Sequence, residues 1–237
     1  MIVSASRRTD IPAFYAEWFY NRLVENYLYV RNPMNPKQVS ELKLSRDTVD
    51  CFVFWTKNPG PMMDRLSILD TMGYPYYFQF TLTAYGQDME PGLPDKRELV
   101  ETFRTLSRRI GAERVIWRYD PILLGGIYNV EYHCRWFEQL CKSLSGYTQT
   151  CVISFIDMYA RIKKSMEHMG VYDMGDGDIC LLASLLDPIA KQCKIGLQTC
   201  SEAMDLSEYG IQKGKCIDDR LISRITGREV DVKKDDT

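Results

Sequence analysis

The feature that most constrains this chain is a repeated hand-over, in which a short apolar run ends in polar residues and an amphipathic helical stretch follows. It first occurs at Met1–Pro12, M-I-V-S-A-S-R-R-T-D-I-P, where the apolar run gives way to Arg7, Arg8, Thr9 and Asp10 ahead of an aromatic-rich helical pattern. A parallel strand buried on both faces reads as a continuous apolar run, and it delivers the residues that follow it to its carboxyl end. The same hand-over recurs at Asp50–Trp55, which leads to Thr56, Lys57 and Asn58, and at Tyr74–Thr83, where alternation sets Gln79, Thr81 and Thr83 on one face. It recurs again at Glu113–Leu124, where Arg118 and Asp120 share parity, and at Thr150–Phe155, which delivers Ser154 and then Asp157. Lys194–Gln198 is the last such run and delivers Gln198, Cys200, Ser201 and Glu202.

Between these runs, apolar residues return at helical spacing. Tyr15, Trp18, Phe19 and Leu23 follow Asp10 as a cap; Met62, Leu66 and Leu69 share a face; Leu99, Phe103, Leu106 and Ile110 form a stripe stopped by Gly111. Asn129 caps a helix with Phe137, Leu140 and Leu144 inward, and two further stripes are Ile162, Met166, Met169 and Ile179, Leu182, Leu186, Ile189. Tyr27–Pro36 reads as a short strand feeding a loop stiffened by two Asn-Pro steps, and the turn-rich Tyr85–Pro94 reads as a lid. The D-M-G-D-G-D stretch ending at Asp178 resembles part of a calcium loop, but the terminal Glu of the full pattern is missing, so helix capping is the reading taken.

Six strands alternating with helices imply parallel pairing through crossovers, and hence either a partial or closed α/β barrel or an open doubly wound sheet. The TIM-barrel-like form, with about six βα units, is favoured because nearly every strand ends in residues able to carry function. The fingerprints G-x-G-x-x-G and G-x-x-x-x-G-K are both absent, which weighs against a nucleotide-binding open sheet. Residues 1–204 are read as the barrel domain and 205–237 as a polar extension with a short helix near Asp218–Thr226.

The balance of 30 basic against 32 acidic residues supplies no global field for nucleic acid, and the local run Arg104, Arg108, Arg109 reads as a solvated helix face. No apolar run approaches the roughly 20 residues a membrane helix needs, no secretory leader is evident, and the chain is read as cytoplasmic. The 8 cysteines include no C-x-x-C pair and read mostly as reduced packing residues. His133 and His168 fall on helices rather than at strand ends, which argues against a histidine-based centre.

The expected site gathers Arg7, Arg8, Asp10, Lys57, Asn58, Gln79, Thr81, Arg118, Asp120, Ser154, Gln198 and Glu202 around one mouth. Arginine offers planar bidentate donors, so Arg7 or Arg8 with Arg118 would clamp an anionic small molecule or nucleotide phosphate; equally, Arg118 would pair with Asp10 or Asp120 as a structural ion pair. Lys57 reads as a loop lysine, or as a general base if buried, and Trp55 and Trp117 as core residues or stacking platforms. Cys200 and Cys216 stand apart in a polar setting, T-C-S-E and G-K-C-I-D-D; two thiols alone hold a metal weakly, so a structural role is the default.

The blocks S-A-S-R-R-T-D-I-P-A-F at 4–14, F-W-T-K-N-P at 54–59, Y-F-Q-F-T-L-T at 77–83, V-I-W-R-Y-D-P-I-L at 115–123 and T-C-S-E at 199–202 together resemble a prokaryotic family, the domain of unknown function numbered eighteen forty-eight. Longer members carry a C-x-x-x-C-x-x-C segment, absent here, that resembles the cluster motif of radical S-adenosylmethionine enzymes. The resemblance then implies a four-iron four-sulfur cluster on three thiolates, S-adenosylmethionine on the open iron, and a 5'-deoxyadenosyl radical that abstracts hydrogen. On that implication Cys200 and Cys216 would join an auxiliary cluster with cysteines missing from this sequence. The expectation is therefore a radical-type enzyme lacking its cluster segment, with a cluster-free anion-binding barrel as the alternative.

Overall fold

The computed structural model describes residues 1–6, 8–200 and 202–230, without the side chain of Arg161. Contacts divide them into two units, Met1–Phe80 joined by the segment from Asp219, and Thr81–Asp218.

The first unit opens with β1 (Ile2–Ala5), α1 (Ile11–Phe14) and α2 (Ala16–Glu25), then β2 (Tyr27–Arg31) and β3 (Val39–Lys43). It continues through β4 (Cys51–Thr56), α3 (Gly60–Met63), α4 (Leu66–Thr71) and β5 (Tyr76–Thr81). β4 pairs parallel with β1, Ile2 opposite Cys51, and with β5, Phe52 opposite Tyr76. A strand paired on both edges and covered on both faces has no polar side, and Cys51, Phe52, Val53 and Phe54 are all fully buried. Phe19 of α2 meets the Phe52 and Phe54 rings edge-on at 5.2 and 5.3 Å, and Leu23 of the same helix is also buried.

The Tyr27–Pro36 region holds the expected short strand and stiffened loop, and the unexpected element is β3. β2 pairs antiparallel with β3, so the Asn-Pro stretch is the loop of a hairpin. Asn32 Oδ1 accepts from Met34 N at 2.9 Å and Asn35 Oδ1 from Lys37 N at 3.3 Å, side-chain turns that stiffen it as the sequence suggested. β3 escaped the sequence because Val39 and Leu42 are its only apolar residues.

The second unit contains α5 (Lys96–Ile110), β6 (Val115–Ile122), β7 (Leu124–Gly125), α6 (Val130–Leu144), β8 (Thr150–Phe155) and α7 (Ala160–His168). It ends with β9 (Val171–Tyr172), α8 (Asp176–Gln192), β10 (Gly196–Thr199) and β11 (Gln212–Lys213); the following α9 (Asp219–Thr226) groups with the first unit. β6, β8, β10 and β11 pair in parallel in that order. Trp117 of β6 stacks on Phe137 of α6 at 5.0 Å, and Asp95 and Asn129 cap α5 and α6 through side-chain oxygens. β7 and β9 form a small antiparallel pair, and a Cβ at Gly125, whose φ is +156°, would overlap the Gly170 carbonyl oxygen and Val171 Cα, so only glycine fits.

The α/β class with parallel strands holds. A closed barrel does not: among the described residues β1 pairs only with β4 and β11 only with β10, whereas a ring gives every strand two neighbours. With two residues, β11 has too little backbone to carry a closing seam. The Tyr85–Pro94 stretch is anchored rather than loose. The buried Tyr85 hydroxyl donates to Pro121 O at 2.7 Å and accepts from Leu123 N at 3.0 Å, and buried Glu90 takes the Thr83 hydroxyl at 2.9 Å and Lys96 Nζ at 2.5 Å.

Candidate functional site

Arg118 and Asp120 stand two residues apart on β6, so their side chains leave the same face of the strand. They form a forked ion pair. Arg118 Nε reaches the two carboxylate oxygens at 3.2 and 3.0 Å while Nη2 bonds Oδ2, with side-chain exposures of 7% and 12%. Burial works against the guanidinium charge, but the Asp120 carboxylate and, further, Cys200 hold Arg118 above its ordinary range. Of the two partners the sequence offered for Arg118, Asp10 and Asp120, this pair is with Asp120.

Cys200 follows β10 directly, and Cys216 lies three residues beyond β11. Because the two strands run parallel, with Thr199 opposite Lys213, both cysteines fall at the same, carboxyl end. Gly214 makes the approach possible: its N–H donates to Thr199 O at 2.8 Å, and a Cβ there would stand 2.8 Å from that oxygen and 2.9 Å from Gln198 Oε1. The chain then brings Cys216 Sγ to 3.1 Å from Cys200 Sγ, with Cys200 buried and Cys216 exposed. The hydrogen bond to Cys216 and burial push the Cys200 thiol up, while Arg118 pulls it the other way. Cys200 therefore keeps its proton at neutral pH.

At the end of β8, Glu202 Oε1 accepts from Phe155 N at 2.9 Å. Burial holds this carboxyl above its usual range, the Phe155 N–H opposes, and Asp157 adds to the rise. Ser154 is half-buried on β8, Gln198 lies opposite Val152 and Gln212 on β10, and Thr81 is half-buried at the end of β5. The second unit thus draws Arg118, Asp120, Cys200 and Cys216 into one cluster, with Glu202 fixed at the end of the β8 strand that pairs with both β6 and β10.

The remaining expected residues belong to the first unit. Asp10 Oδ1 accepts from Ala13 N at 2.9 Å as the cap of α1, and Oδ2 accepts from the Thr56 hydroxyl at 3.0 Å and Lys57 N at 2.7 Å. Its carboxylate joins the ends of β1 and β4. Asn58 Oδ1 accepts from Gly60 N at 3.0 Å at the start of α3, Lys57 is half-buried, Gln79 is buried on β5, and Arg8 is exposed. Trp55 donates its indole N–H to Ser4 Oγ at 3.1 Å, whereas Trp117 lies in the core of the second unit. Arg7 and Ser201 lie outside the described residues.

His133 is buried in α6 between the Tyr119 hydroxyl on Nδ1 and the Leu123 carbonyl on Nε2, each at 2.8 Å. Since a carbonyl only accepts, Nε2 carries the proton and Nδ1 accepts from Tyr119. Burial lowers the pKa of this imidazole, against the pull of the Leu123 carbonyl. Sequence reasoning placed Thr56 at the end of its strand but gave no sign that it bonds Asp10, and it passed over Gly214, whose small size beside Cys216 was the available clue.

Among the described residues no group of three or more His, Cys, Asp and Glu side chains converges as a metal site, and no helix is long and apolar enough to cross a membrane. The Gly170–Asp178 stretch forms β9 and the start of α8. An open depression of 330 Å³ lined by Met158, Lys163, Glu167 and Tyr172 includes none of the expected site residues. In sequence comparison, the family model described as Domain of unknown function (DUF1848) matches residues 2–237. No curated protein matches the chain.

Proposed function

The chain belongs to the DUF1848 family, and on that premise we propose that its chemistry is centred on the thiols at the carboxyl ends of β10 and β11, with Cys200 and Cys216 acting as ligands for a soft, thiophilic metal. The observation that carries this reading is the 3.1 Å separation of the two sulfurs beside the buried Arg118 guanidinium. A metal ion between them displaces the proton that Cys200 holds, so affinity rises with pH. Arg118 serves this site as counter-charge to a thiolate, with Asp120 fixing its plane, rather than as a clamp for an anionic ligand. Reduced thiol ligands suit the cytoplasm, where the chain is placed on this reading.

The radical S-adenosylmethionine reading asks more of the protein. A four-iron cluster takes three or four thiolates, and the described residues bring two together with no third ligand group. They do not fit that cluster by themselves, and no chemical step is assigned to it. S-adenosylmethionine and the partial-barrel architecture belong to the same reading, with the further cluster ligands supplied from outside the described residues.

Anaerobic titration of the reduced chain with cobalt(II) tests the proposal. A sulfur-to-metal charge-transfer absorption is expected in the wild type and is lost in both Cys200→Ser and Cys216→Ser. A wild-type spectrum without that band, or one unchanged in the two variants, overturns it. Reconstitution with iron and sulfide, followed by iron counting, tests the cluster reading separately.

A further inference from the structure

We infer that Cys200 and Cys216 form a reversible disulfide, set by small-molecule disulfides of the glutathione type, which makes this rim a redox switch. The bond itself does not depend on metal binding; only its consequence for the metal rests on the proposed function. The two sulfurs are 3.1 Å apart, and an S–S bond of about 2.05 Å needs them to close by on the order of 1 Å. The parallel register of β10 and β11 and the close approach at Gly214 hold the two backbone segments side by side, so side-chain rotation supplies the closure.

Access divides the labour between the thiols. Cys216 is exposed and meets the reagent first; Cys200 is buried beside Arg118 and receives no bulky reagent directly. In the first step the Cys216 thiolate attacks a sulfur of the small disulfide, a mixed disulfide forms, and one small thiolate leaves. In the second step the Cys200 sulfur, 3.1 Å away, attacks Cys216 Sγ as its proton is given up, and expels the second small thiolate. The two protein thiols are oxidised by two electrons, the small disulfide is reduced to two thiols, and the two cysteine protons pass to them. Cys141 and Cys193 also neighbour each other, but both are buried, so the reagent does not reach them.

The oxidised form ties the end of β10 to the segment after β11, and so restrains the connection that carries Glu202. It also removes both thiolates from metal ligation. In a reducing cytoplasm such a bond forms only transiently, which is the behaviour of a switch rather than a structural staple.

The test uses the metal-free chain equilibrated in glutathione and glutathione disulfide buffers, quenched with acid, alkylated and mapped by mass spectrometry. The expected result is a tryptic species linking the Cys200 and Cys216 peptides, lost on reduction. Cys200→Ser is expected to trap glutathione on Cys216, and Cys216→Ser to lose the linked species and show little glutathione on Cys200. Cys216→Ser alters an exposed side chain and keeps the test decisive should Cys200→Ser fail to fold. A wild type that stops at the Cys216–glutathione adduct, or that links other cysteines, overturns the inference. A chain that binds cobalt but never forms the bond loses the switch and keeps the metal reading; a chain that forms the bond without binding cobalt does the reverse.

Discussion

The two units differ in where they put charge. In the first, the interior around β4 is largely aromatic, with Phe19, Phe52, Phe54 and Phe78 all fully buried, while Asp10 and Asn58 at the strand ends saturate backbone donors. In the second, charge and hydrogen-bonding groups go inside: Arg118 against Asp120, Glu90 against Lys96, and His133 between Tyr119 and Leu123. A cap at a strand end costs little desolvation and gives local order. A buried charge costs several kcal/mol in desolvation unless its partner is well placed. Chemistry needs groups whose properties differ from those in water, and the second unit is where the shifted thiol, imidazole and carboxyl lie.

Three measurements would break or sharpen that contrast. The largest effect is expected for Asp120→Ala, which leaves the Arg118 guanidinium buried without its carboxylate. Urea unfolding should show a loss of about 3–5 kcal/mol, and a loss under about 1 kcal/mol, the range of exposed pairs, would make the second unit no different from the first. A smaller effect concerns pH. His133 is held neutral, with its folded pKa lowered by burial below the unfolded value of about 6.5, so the unfolded chain binds the proton more tightly. Its contribution is complete above that value and is lost as the pH falls through about 6.5 toward the lower folded pKa. The urea midpoint should therefore decline between about pH 7.5 and 5.5. His133→Phe should flatten that slope and cost about 1–3 kcal/mol at neutral pH by stranding the Tyr119 hydroxyl and Leu123 carbonyl; an unchanged slope would assign the decline to other groups. The smallest effect is Asp10→Ala, about 0.5–2 kcal/mol for a lost cap, read by hydrogen exchange as faster opening of α1 and the end of β4. An effect as large as that of Asp120→Ala would show that the first unit also depends on a committed charge.

Much of this was legible in the sequence because the signals were local. β1, β4, β6 and β8 announced themselves as apolar runs closed by polar residues, and the parity of Arg118 and Asp120 anticipated their pairing. Asp10 was readable as a cap, but the partners of its second oxygen, Thr56 and Lys57, are 46 and 47 residues away, and nothing in the pattern tied those strand-end residues to it. The cysteines illustrate the same limit. Their polar setting singled out Cys200 and Cys216, yet their meeting depends on β11, a two-residue strand of Gln212 and Lys213 with no apolar residue to mark it. Ring closure was overcalled because functional residues after many strands are as compatible with an open edge as with a barrel. The strand ends carry the pattern, and the pairing of the outermost strands does not.

The fit of Gly125 against Gly170 has a mechanical consequence. It pins the chain just ahead of β9 to the chain just after β6, while β8 is held in its ladder, so the stretch carrying α7 is a handle riveted at both ends. A handle of this kind accommodates extra length within itself, since the entropic cost of a longer loop grows only logarithmically. Residues inserted along α7 would bow the handle outward and leave the strand ladder undisturbed, whereas a single methyl group added at the rivet would spring it.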